Sequence, residues 1–141
     1  ERARGFETEH FEQALELEDS RLLGEGELLR TGAKGRSLAH QHLAYVRRGE
    51  YIDQLERMEK AVGRDHMLVL DSADFWAEPE ANWPKVTSFL SLADQDVALK
   101  KHNARSRAPM SESLRTKLDK HFLPFDERLS EWWGREPSWR R

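Results

Sequence analysis

The chain has 141 residues, with 23 Lys and Arg against 26 Asp and Glu, a formal charge of −3, and no cysteine. That length suits one domain or a piece of one. The charge excludes a global attraction to nucleic acid or an anionic membrane, and the absent thiols exclude disulfides, thiolate catalysis and cysteine-held zinc.

Hydrophobic residues make up 38% of the chain and charged residues 35%, yet five Trp and six Phe argue against disorder. A wet chain with many large aromatics is what a piece of a larger body, parted from its packing partner, would look like. The apolar runs are too short to span a membrane, and no partner in the membrane is expected. The opening Glu1-Arg2-Ala3-Arg4 carries no signal peptide and no initiator Met, so residue 1 is read as an internal or processed start. The lack of cysteine fits a reducing compartment, and a cytoplasmic location is expected.

In chain order, Thr8 is placed to cap a first helix with Phe11, Ala14 and Leu15 inward, fading near Asp19. Gly24, Gly26, Gly32 and Gly35 mark residues 24 to 37 as a mobile loop. A second helical stretch runs from Ser37 to Arg48, with Leu38, His42, Tyr45 and Val46 as inner candidates, until Gly49 breaks it. Tyr51, Leu55, Met58 and Val62 then fall at i, i+4, i+7 and i+11, an apolar stripe that predicts a third helix closed by Gly63.

Met67-Leu68-Val69-Leu70 is an unbroken apolar run between Asp65 and Asp71, which predicts a strand over about 66–71 buried on both faces. No second strand of equal quality follows. Pro79 and Pro84 punctuate the entry to another helix, with Val86, Phe89 and Leu90 inward. Residues 94 to 108 are polar and irregular. Ser111 caps a helix with Leu114, Leu118 and Phe122, which Pro124 is expected to interrupt. A last short helix carries Phe125, Leu129, Trp132 and Trp133 and stops at Gly134. Mostly helices around one lone buried strand predict an α/β protein seen without its early strands.

Seven segments, in this order, resemble the sulfotransferase superfamily that uses 3′-phosphoadenosine 5′-phosphosulfate (PAPS), especially its bacterial members and the heparan sulfate sulfotransferases. They are Phe11-Glu12-Gln13-Ala14-Leu15; Tyr45-Val46-Arg47-Arg48-Gly49-Glu50-Tyr51 with Gln54-Leu55-Glu56-Arg57; Met67 to Ser72; Pro79 with Val86 to Leu92; Asn103-Ala104-Arg105 with Pro109-Met110-Ser111; Phe122-Leu123-Pro124-Phe125; and Gly134 to Trp139. Met58 stands where the family usually has Trp, Ala73 where it has Glu, and Ser91 where it has Gly. The specificity lies in order and spacing, since no single segment is diagnostic.

The resemblance implies the helix-rich carboxy-terminal portion of a P-loop-like parallel-sheet sulfotransferase fold, with residues 1–141 a partial domain. The amino-terminal half, absent here, would bring the phosphate-binding loop, the general base and the Arg and Ser that hold the 3′-phosphate. The implied reaction moves a sulfuryl group from PAPS to a hydroxyl or amine, using in-line geometry and donors on the departing oxygens. No metal is implied. The partners are the missing half of the domain and a small-molecule or carbohydrate acceptor. This chain alone is expected to be inactive.

What the chain would supply by resemblance is the second wall of the nucleotide site. Lys101, Asn103, Ala104, Arg105 and Ser106 stand where heparan-type enzymes carry a loop over the nucleotide. Arg105 suits a two-pronged contact to phosphate, and Asn103 and Ser106 suit single bonds; Ala104, where the family has Gly, restricts backbone approach. A plain solvated loop is the blander account. Tyr51 reads as core or as a wall of the adenosine pocket. Tyr45, Arg47 and Arg48 read as an exposed basic face or as contacts to acceptor or nucleotide.

Gly32 to Ser37 lacks phosphate-loop spacing and better suits acceptor specificity. His40 and His42 do not share a helix face, and His42 reads as a satisfied, partly buried ring. Asp71 and Asp74 read as helix caps ahead of any functional role, and Trp132, Trp133 and Trp139 as packing for the last helix. The runner-up function is a non-catalytic helical protein-interaction module.

Overall fold

The computed structural model describes residues 4–33, 35–93, 97 and 109–141. They form two compact units, Glu1–Tyr51 and Ile52–Arg141.

In the first unit, α1 spans Phe11–Leu22, α2 Glu25–Arg30 and α3 Leu38–His42, and α1 packs against α3. Ala14, Glu18 and Leu22 form the buried stripe of α1, four residues apart. Thr8 does not cap this helix: His10 holds that position, and the Thr8 hydroxyl bonds to the Glu9 side chain. The segment read as a loop contains α2, because Glu25 and Glu27 at its first turn and Leu28, Leu29 and Arg30 after them are good helix formers between Gly24 and Gly32. Ser37 caps α3 by accepting from the His40 N–H at 3.0 Å, and a 3₁₀ turn, Arg47–Gly49, follows.

In the second unit, α4 spans Tyr51–Val62, beginning at the last residue of the first unit, and Gly63 ends it with φ 84° and its N–H on the Glu59 carbonyl. The helix is as expected, but its orientation is not. Arg128 reaches Asp53 and Glu56, and Trp132 reaches Glu59, so the face carrying these acids turns toward the carboxy-terminal helix. Ile52, on that face, is fully buried, whereas Tyr51, Met58 and Val62 are 47%, 54% and 49% exposed.

The expected strand is not a strand. His66 belongs to a 3₁₀ turn, Arg64–His66, and Met67 to Leu70 follow without regular secondary structure, Met67 itself being extended at φ −125° and ψ 124°. Among the described residues no other segment lies alongside to form a ladder, and the described residues are helical with no sheet. The α/β, P-loop-like parallel-sheet expectation is therefore corrected to an all-helical architecture among these residues. An apolar run sets a preference for extended backbone, but only a neighbouring edge turns that into a sheet.

After Leu70 come α5, Ser72–Ala77, and α6, Pro79–Phe89, packed on each other. Pro79 is the first residue of α6, where a missing N–H costs nothing. Asn82 and Thr87 are its buried residues, while Phe89 and Leu90, expected inside, are exposed. Finally, α7 is one helix, Glu112–Trp133, capped by Ser111 and ended by Gly134 at φ 74°. Pro124 does not interrupt it. One N–H is lost there, but the ladder on either side and the burial of Leu114 before it, and of Asp126 and Leu129 after it, hold the helix together.

Candidate functional site

Of the six residues expected to bind nucleotide, Tyr51 opens α4 with its ring half exposed. Lys101, Asn103, Ala104, Arg105 and Ser106 lie outside the described residues. The described geometry centres instead on four buried carboxylates, each holding together segments distant in sequence.

Glu18 is 2% exposed on the inner stripe of α1. Its Oε2 accepts the N–H groups of Tyr45 and Val46, both at 2.7 Å, and its Oε1 accepts that of Arg47 at 2.9 Å. Three successive backbone donors around one carboxylate make an anion-binding concavity, here filled from within the chain. The turn that leads to the Arg47–Gly49 3₁₀ helix is thereby fixed to α1.

Glu7 fixes the same turn through a side chain. Arg21 donates to it twice, at 2.7 and 3.2 Å, the Tyr45 hydroxyl donates at 2.8 Å, and the Glu9 N–H at 2.9 Å. The Arg21 hydrogen bond, outweighing the opposing effect of burial, holds the Glu7 carboxyl well below its usual range, at about 2. Arg21 is correspondingly raised, first by its bond to Glu7.

In the second unit Asp71 caps α5, accepting from the N–H groups of Ala73 and Asp74, and also holds Ser138. Burial opposes its ionisation, but the bonds from the Ser138 N–H and hydroxyl, then those from the two α5 amides, outweigh it and lower its pKa. Asp74 takes Arg135 and Arg141, and the Arg135 bond first, then Arg141, lowers it. Asp126, buried on α7, accepts from Trp139 Nε1 at 3.1 Å and Arg140 Nε at 2.6 Å. The capping reading of Asp71 thus holds, and so does the packing reading of Trp132, whose ring also carries the Arg64 guanidinium at 4.0 Å.

Chemically these carboxylates are anchors. Glu7, Asp71 and Asp74, whose pKa values are lowered by their donors, are poor proton acceptors, and the bonds around each of the carboxylates join protein segments to one another. Tyr45 is committed to Glu7, Arg47 pairs with Asp19 at 3.1 Å, and Arg48 donates to the carbonyls of His40 and Gln41. His42 is a partly buried ring, stacked on Phe6 at 3.6 Å between centroids. Among the described residues no group of three His, Asp or Glu side chains is placed to hold a metal ion, and no helix is long and apolar enough to cross a membrane.

Compared with known proteins, the chain matches no family model, no curated protein and no solved structure.

The anchors were partly readable beforehand. Glu18 stands midway between Ala14 and Leu22 on the single stripe i, i+4, i+8, which flags an inward carboxylate, and Asp126 stands three residues before the buried Leu129. Glu7 lies ahead of α1, outside any periodic stripe, and carries no such signal.

Proposed function

We propose that the chain is part of a sulfotransferase that moves a sulfuryl group from PAPS to a hydroxyl or amine acceptor, supplying the second wall of the nucleotide site and part of the acceptor site. The observation that carries this reading is the order and spacing of the seven sulfotransferase-like segments, from Phe11 to Trp139. The geometry supports it in one respect: two of the long-range ties run between those segments or the helices they begin. Glu18, on the helix begun by Phe11 to Leu15, holds Tyr45 to Arg47. Asp71, in the Met67 to Ser72 segment, holds Ser138 in the Gly134 to Trp139 segment.

The described core supports the reading of a piece of a larger body. Its buried apolar residues are Ala14, Leu22, Ala44, Ile52, Leu114 and Leu129, whereas Met58, Val62, Leu68, Trp76, Phe89, Leu90 and Leu123 in the second unit are exposed. So much exposed apolar surface is a mark of surface meant to be covered. On this reading the phosphosulfate loop and the base come from polypeptide outside residues 1–141, Lys101 to Ser106 and Tyr51 face the nucleotide, and no metal takes part.

The test is label transfer. The polypeptide that contains this chain, given sulfur-labelled PAPS and a panel of sugar, phenol, amine and peptide acceptors, is expected to yield a labelled product, and residues 1–141 alone none. Failure of the larger polypeptide to bind PAPS or its desulfated product would remove the reading.

A helical interaction module is the second reading, favoured by the apolar stripe of α4 at i, i+4, i+7, i+11, on which Tyr51, Met58 and Val62 are exposed. A module with a complete core melts in one sharp transition as an isolated chain, whereas a piece of a larger domain melts broadly and binds a hydrophobic dye.

A further inference from the structure

We draw no further inference here: the strongest candidate, the apolar stripe of α4 on which Tyr51, Met58 and Val62 are exposed, carries nothing because nothing in the structure shows what covers it.

Discussion

Ser138 gives both its backbone N–H and its hydroxyl to the carboxylate of Asp71, each at 2.8 Å, across 67 residues of sequence. The same carboxylate caps α5, so one buried side chain sets the start of a helix and the course of the carboxy-terminal segment. Removing the hydroxyl alone, with Ser138→Ala, should cost about 1 kcal/mol, the net worth of a single hydrogen bond. Asp71→Ala removes the cap as well and leaves the Ser138 N–H without its acceptor, so a loss of roughly 2–4 kcal/mol is expected. Urea unfolding of the two variants measures both. Equal costs would mean that the α5 cap and the Ser138 N–H bond add nothing beyond the hydroxyl contact.

Glu18 makes a sharper local prediction. Glu18→Ala takes the acceptor from three amides at once, those of Tyr45, Val46 and Arg47. Buried donors left without partners cost about 1–3 kcal/mol each, and the turn is expected to open before it bears that cost. Hydrogen exchange at those three amides should quicken while the amides of α4 keep their protection. Unchanged exchange at residues 45–47 would show that the turn holds itself.

Glu7 adds a pH dependence. Its carboxyl lies at about 2 in the folded chain against 4.5 when unperturbed. In that interval the unfolded chain binds more protons, so the contribution is full above about pH 4.5 and is lost as the pH falls toward about 2. Glu7→Gln should destabilise the chain at neutral pH and flatten the fall in stability between about pH 5 and about pH 2.5. An acid limb identical to that of the parent would place the titration on other carboxylates, Asp71 and Asp74 among them.

Local chemistry carried much of the architecture into view. Ser37 and Ser111 cap where a short hydroxyl side chain should, and Gly63 and Gly134 end helices where a left-handed residue is needed. What did not follow from local pattern was decided by distant partners. Met67 to Leu70 prefer extended backbone, yet pairing depends on an edge that no neighbour in sequence supplies. The inward face of α4 was set by Arg128 and Trp132, more than 70 residues on, which attract Asp53, Glu56 and Glu59. Periodicity locates a stripe but says nothing about which side of the helix meets the rest of the chain. The proposed nucleotide wall rests on resemblance alone, since Lys101 to Ser106 carry no spacing of their own.

That reversal of α4 is directly measurable. Ile52→Ala should cost about 2–5 kcal/mol, because Ile52 is fully buried. Met58→Ala and Val62→Ala, on the exposed stripe, should stay within about 0.5 kcal/mol in the isolated chain. If the larger polypeptide covers the stripe, the same two changes become costly there. A large cost from Met58→Ala in the isolated chain would return the stripe to the core and contradict the observed packing.

Arg105 tests the proposed nucleotide wall apart from the proposed chemistry. A guanidinium on a phosphate contributes about 1.5–3 kcal/mol through charge-assisted bonds, so Arg105→Ala in the larger polypeptide should weaken binding of desulfated PAPS about 10- to 100-fold. Arg105→Lys should recover only part of this, because an ammonium keeps the charge and loses the planar, two-pronged contact. Arg57→Ala is the control for charge alone, since Arg57 is exposed on α4 with its Nε on the Asp53 carbonyl, and it should leave the affinity unchanged. Calorimetric titration of all three separates the cases. Equal weakening by Arg57→Ala and Arg105→Ala would reduce the effect to net charge, and parental affinity in Arg105→Ala would remove residues 101–106 from the nucleotide site while leaving sulfuryl transfer by the larger polypeptide to stand or fall on label transfer.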